Sequence, residues 1–189
     1  MTTSGSRPLV IALLLLAGAA PAPSDDLASA AEVGRIIAGP DFELLGLDGR
    51  RHHLADARGS VLLVNFWATW CASCRSEIPE LNRLYADLGG RGVRIIGIST
   101  DVEGAEKVVP YAEEIGIEYP VLLDPRGVST EIFGGLEGYP MTFIFDREGL
   151  IYSSYLGAQV EETLREDLEY LLQAQPSAAA PLVVDKSAE

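Results

Sequence analysis

From Val61 to Trp67 the run Val-Leu-Leu-Val-Asn-Phe-Trp places apolar side chains on both faces of an extended chain, the pattern of a strand buried from both sides. Val93 to Ile98 repeats that pattern. Between them, Ile78, Leu81, Tyr85 and Leu88 recur at helical spacing and Gly89-Gly90 ends the run, so the segment predicts a strand, helix, strand unit with a right-handed crossover. Upstream, Phe42 to Leu47 and Arg51 to Leu54 flank the turn signal Asp48-Gly49 and predict a β-hairpin. Downstream, Glu103 to Ile115 predicts a helix that Pro110 interrupts and can kink or divide. Tyr119 to Leu123 predicts a short strand and Val128 to Phe133 a short helix before the break at Gly134-Gly135. Met141 to Phe145 and Leu150 to Tyr155 flank Asp146-Arg147-Glu148-Gly149 as a second hairpin, and Leu164, Leu168 and Leu171 mark a closing amphipathic helix. This order predicts an α/β fold: a mixed central sheet with helices on both faces, whose last hairpin lies antiparallel.

The 189-residue length suits one domain, assigned to residues 39–174, with short appendages. Residues 1–19 read as an export signal: Arg7 is followed by the apolar run Leu9 to Ala17 and the small residues Ala17-Gly18-Ala19. A cleaved signal and a retained anchor both remain open, although the apolar run is shorter than the ~20 residues of a spanning helix. No cysteine follows it, which excludes a lipid-modified anchor. Residues 20–38 read as a flexible leader and residues 175–189, rich in Ala and Pro, as a disordered tail.

Fourteen basic against 28 acidic side chains give a formal net charge of −14, which repels nucleic acid. The acidity keeps the protein soluble or favours a basic protein partner.

Cys71 and Cys74 are the two cysteines of the chain. A pair three apart closes too short a loop to restrict the unfolded chain much, and in an oxidising compartment it suits a cycling dithiol better than a structural staple. Cys71 falls where the buried strand gives way to the helix. Free backbone N–H groups and the positive helix end there favour a thiolate, lowering the thiol pKa from about 8.5 into a range of roughly 3.5 to 7.5. Cys71 is then the attacking thiol and Cys74 the resolving one. Zinc usually takes four ligands; no second cysteine pair exists, and the adjacent His52 and His53 point to opposite faces of a strand, as ordinary hairpin residues. No metal or cofactor is assigned. Trp67 reads as core, and Trp70 as part of the surface beside the thiols.

Val64-Asn65-Phe66-Trp67-Ala68-Thr69-Trp70-Cys71-Ala72-Ser73-Cys74, with Pro79 downstream, closely resembles the thioredoxin superfamily, and most of all its exported TlpA/ResA/CcmG branch. The opening Pro40-Asp41-Phe42-Glu43-Leu44 is similar to the start of that branch. The resemblance covers about Pro40 to Leu172. It implies a thioredoxin-like fold with an N-terminal hairpin and a βα insertion, here within residues 116–136. Gly138-Tyr139-Pro140-Met141-Thr142-Phe143 looks like the loop that carries a cis-proline opposite the cysteines. Pro140 would be that residue, and Tyr139 would offer its backbone to a bound peptide. Glu77 matches an acid implicated in proton handling around the cysteines; read from the residues alone, it could instead complement the helix dipole. Asn65 stands where thioredoxin itself has a buried aspartate, which shifts the search for a titrating group to Glu77.

The resemblance implies an extracytoplasmic, periplasmic thiol:disulfide oxidoreductase. Its partners would be disulfide-containing exported proteins, apocytochrome c among them, and a membrane thiol-reducing electron donor. Ala72-Ser73 between the cysteines and Met141 after the proline depart from the common patterns, which leaves the client open. Direction of electron flow is not set by spacing, so a disulfide donor or isomerase stays as an alternative. A peroxiredoxin-type peroxidase would need Pro-x-x-x-Thr-x-x-Cys, which the chain lacks. A binding module without turnover is the remaining class.

Overall fold

The computed structural model describes Met1 and residues 42–174. The export signal apart from Met1, the leader at 20–38 and the tail at 175–189 therefore lie outside the described residues. Seven strands form one mixed sheet: β1 (Glu43–Gly46), β2 (Arg51–His53), β3 (Val61–Trp67), β4 (Val93–Ser99), β5 (Val121–Leu123), β6 (Met141–Phe145) and β7 (Ile151–Leu156). Among the described residues four α-helices accompany it: α1 (Ala72–Leu88), α2 (Ala105–Ile115), α3 (Val128–Ile132) and α4 (Glu161–Gln173). The spatial order is β2-β1-β5-β4-β3-β6-β7. Strands β3, β4 and β5 run parallel, while the two hairpins β1–β2 and β6–β7 attach antiparallel at either side.

Alternation along the strands divides the core into two layers. Val61, Leu63 and Trp67 of β3 face a layer completed by Leu81, Leu84 and Leu88 of α1, Val108 of α2, and Leu164, Leu168 and Leu171 of α4. Leu62, Val64 and Phe66 face the opposite layer, where Phe42, Leu122, Phe143 and Phe145 meet Ile132 of α3 and Phe133 just after it. The helices thus cover both sides, three on one and the short α3 on the other. The segment 116–136 contains β5 and α3, which is the predicted βα insertion; its strand enters the sheet between the hairpin and β4.

Local details differ from the sequence reading in ways with clear causes. Helix α2 begins at Ala105, because Gly104 takes φ 60°, outside the helical region, at its N-cap. Pro110 neither divides nor ends that helix: it is exposed, so the Glu106 carbonyl whose partner it removes is open to water. Strand β5 begins at Val121, after Pro120, and Tyr119 turns into the core at 3% exposure. Trp67 is fully buried and stacks on Tyr111 with ring centres 5.9 Å apart, the packing role expected of it. His52 and His53 do go separate ways, His52 to Asp48 and His53 to Glu43, each at 3.0 Å.

Candidate active site

Strand β3 is held centrally by β4 on one side and β6 on the other, so its C-terminal end is a fixed platform. From it the chain turns through Ala68 to Trp70 into α1, and Cys71 is the N-cap of that helix. Its backbone is extended, and its sulfur accepts a hydrogen bond from the Cys74 N–H at 3.1 Å, the capping role that Ser or Asp oxygens usually fill. Cys71 and Cys74 are joined by a disulfide of S–S length 2.03 Å, so the site is in its oxidised state. Cys71 keeps 6% of its surface and Cys74 2%, and the Ser73 hydroxyl lies 3.4 Å from the Cys71 sulfur.

The Tyr139–Pro140 bond is cis, as the resemblance implies. This loop lies against the cysteine turn: the Ser73 hydroxyl donates to the Tyr139 carbonyl at 3.4 Å. Trp70, 64% exposed, meets the Tyr139 ring edge-on at 5.2 Å, and the Tyr139 hydroxyl accepts from Thr100 at 3.0 Å. Trp70, Tyr139 and Pro140 are therefore gathered beside the disulfide, with Trp70 forming an apolar rim.

Glu77 lies on α1 one turn beyond Cys74 and points into the fold, only 1% exposed. Its Oε2 accepts from the Asn65 side-chain amide at 2.8 Å and its Oε1 from the Gln159 backbone N–H at 2.9 Å. Burial pushes its pKa from 4.5 up to about 7; the Gln159 and Asn65 donors oppose that rise and the charge of Glu80 adds to it. A carboxyl that changes charge near neutrality, beside a reacting thiol, has the properties of a general acid and base. It stands in the second turn of α1, past the first turn in which an acid complements the helix dipole.

The structure adds residues that the sequence reading missed. Asp101, just after β4, is 2% exposed and binds the loop before Cys71: it accepts from the Thr69 N–H at 2.9 Å and the Thr69 hydroxyl at 2.5 Å. Ser99 Oγ donates to it at 2.9 Å, and Lys107 Nζ lies 3.4 Å away. Burial works to raise its pKa, but these hydrogen bonds outweigh that and hold it below the usual carboxylate range. Thr142, next but one to Pro140, accepts from the Asn65 amide at 2.9 Å. Gln159 and Asp101 reach the site from 82 and 32 residues away in the chain, with no local motif to announce them, and Thr142 lies within the cis-proline motif without its contact to Asn65 being marked there.

Comparison with known proteins agrees with this geometry. The profile of the AhpC/TSA family matches residues 38–154. The thiol-disulfide oxidoreductase ResA of Geobacillus thermodenitrificans is 34% identical over 130 residues, which is 69% of this chain and 74% of the relative. The thioredoxin-like protein YneN of Bacillus subtilis is 32% identical over 131 residues, 69% of this chain and 76% of the relative. Among solved structures, a thiol:disulfide interchange protein of the thioredoxin family from Chlorobium tepidum superposes with a TM-score of 0.63 at 30% identity, covering 70% of this chain and 94% of that one. A thioredoxin-like sheet, a disulfide at a helix N-cap and a cis-proline loop against it accompany those matches, and the chain belongs to the AhpC/TSA family as a thioredoxin-like thiol:disulfide oxidoreductase.

Proposed function

We propose that the protein is an extracytoplasmic reductase of disulfides in exported partner proteins, including the Cys-x-x-Cys-His haem site of apocytochrome c. The observation that carries the reading is the capping geometry of Cys71, whose sulfur accepts the Cys74 N–H in the first turn of α1, where an anion is favoured. In the reduced protein the Cys71 thiolate attacks one sulfur of the partner's disulfide. A Cys71–partner S–S bond forms and the partner's other sulfur leaves as a thiolate. Cys74 gives its proton to the Glu77 carboxylate, and its thiolate attacks the Cys71 sulfur. The Cys71–Cys74 disulfide forms, the second partner sulfur departs, and two electrons have passed to the partner. Glu77 returns its proton to a departing thiolate. A membrane thiol donor then supplies two electrons and one proton to restore the Cys71 thiolate and the Cys74 thiol, its own thiols becoming a disulfide.

Trp70, Tyr139 and the backbone before Pro140 would hold the partner segment across the sulfur, in extended form along the loop that precedes β6. Export rests on the sequence of residues 1–19; among the described residues no helix is long and apolar enough to cross a membrane.

Equilibration with a glutathione buffer tests the direction. A reduction potential of about −250 mV suits a reductase, and a value near −120 mV would replace this reading with that of a disulfide donor. A Cys74→Ala variant should accumulate mixed disulfides with exported clients, apocytochrome c among them. Peroxide consumption as fast as disulfide reduction would favour the peroxidase alternative, and full biological activity of Cys71→Ser the binding module. Fractionation of cells should recover the protein outside the cytoplasm.

A further inference from the structure

Asn65 and Thr142 face each other across the β3–β6 pair, and both lie on the side of the sheet that carries Glu77. A single atom makes both contacts: Asn65 Nδ2 donates to Glu77 Oε2 at 2.8 Å and to Thr142 Oγ1 at 2.9 Å. All three side chains are within 1% of complete burial, so water does not readily replace a lost partner.

This arrangement suits a carboxylate and not an acid. Both Glu77 oxygens face N–H donors, Asn65 Nδ2 and Gln159 N, neither of which can accept the proton of a carboxyl O–H. The Gln159 donor is part of the backbone and cannot reverse. Asn65 can: half a turn of its terminal amide exchanges Nδ2 for Oδ1 at nearly constant volume, replacing a double donor with a double acceptor. A threonine hydroxyl donates or accepts equally well, so Thr142 can follow the change without moving.

We propose that Asn65 and Thr142 form a reversible adaptor for Glu77, Asn65 presenting Nδ2 to the carboxylate and turning Oδ1 toward the protonated acid, while the Thr142 hydroxyl changes from acceptor to donor. Asn65 and Thr142 are positioning residues here: they touch no sulfur and act through Glu77. The titratable groups around Glu77 are Glu80 on the same helix and the buried Tyr119, whose own ionisation burial and the Glu77 charge both oppose. The neighbouring cysteines hold no proton while they are joined. Of the hydrogen-bond partners of Glu77, Asn65 is the one whose polarity can reverse. The adaptor would let the acid pick up and release its proton while the Glu77 oxygen and the Thr142 hydroxyl each keep Asn65 as a partner. Its use in turnover rests on the proton-transfer role of Glu77 proposed above, but the switch itself does not.

Nuclear magnetic resonance of the full chain in its disulfide form, with no client present, tests the switch separately from the redox reading. The Glu77 carboxyl carbon and the Asn65 side-chain amide should titrate together with a midpoint near 7. Contacts between the Asn65 amide protons and the Thr142 methyl group should be present above that midpoint and lost below it. Thr142→Val keeps the shape without the hydroxyl, leaving an N–H orphaned in the carboxylate state. The acid state would lose only one of two donors to Oδ1, so the Glu77 midpoint should rise by about one pH unit, a tenfold gain in proton affinity. Thr142→Ser should restore it. An Asn65 amide that keeps its Thr142 contact while Glu77 protonates would overturn the proposal, whether or not the variants fold. A Thr142→Val protein that titrates as wild type would overturn it too. A reduction potential at the oxidising end would remove the reductase reading and leave this result standing.

Discussion

Glu77 is the residue at which burial and chemistry meet, and its raised pKa has a consequence for stability. In the unfolded chain its pKa is near 4.5 and in the fold about 7, so between those values the native state binds more protons than the unfolded one. Stability contributed by the protonated form is full below about pH 4.5 and gone above about pH 7. Integrated over that window the loss is about 3 kcal/mol. Denaturant titrations of the oxidised protein at a series of pH values should show that decline, and Glu77→Gln, which cannot ionise, should abolish it. The same variant should slow disulfide exchange by roughly 100-fold near neutrality through loss of the proton carrier. A Gln variant with unchanged exchange would make Glu77 structural. At this scale the sequence was generous with the residues proposed to act: Cys71, Cys74, Glu77 and Pro140 are all marked by motif. It was silent on Asp101, whose importance lies in what it holds, the Thr69 N–H and hydroxyl ahead of Cys71. Asp101→Ala should cost about 2 kcal/mol by orphaning the Thr69 N–H and loosening that loop, a loss that faster amide exchange at Thr69 would report.

Among the elements, β3, β4 and α1 were the most legible, because continuous apolar runs and the Gly89-Gly90 stop leave few alternative readings. Element ends were less so, since they depend on packing and single φ values, as at Gly104 and Tyr119. Gly97 in β4 belongs to this scale. A Cβ there would stand 2.9 Å from both Trp67 Nε1 and the Tyr119 ring, two buried groups with little freedom to retreat. Nothing in the strand pattern marks this glycine, because the constraint comes from rings on β3 and on the segment before β5. Gly97→Ala should destabilise the protein by about 1–3 kcal/mol, read as a lower denaturant midpoint, by forcing those rings from their places. A neutral result would show that the Trp67–Tyr111 stack shifts freely.

For the whole molecule, charge and topology decide what the sheet presents to others. With a formal net charge of −14, the protein should meet basic disulfide clients faster than acidic ones. The rate of disulfide exchange with a basic client should fall about tenfold between about 0.01 M and about 0.3 M salt, while an acidic client should show the opposite trend. Equal salt dependence for both would remove overall charge from client choice. The parallel core and flanking hairpins were readable from the order of elements, whereas the place of β5 between β1 and β4 was not, because strand order within a sheet is a long-range property. That placement has a practical corollary. The Asp48-Gly49 turn joins β1 to β2 at the outer margin, with β5 and β4 between β1 and the strand that bears the cysteine loop. Because β1 runs antiparallel to β5, the turn also lies at the opposite pole from the sulfurs. A dye or an affinity handle grafted there would sit clear of the traffic at the reactive end, giving a foothold for watching single encounters while the working surface stays bare.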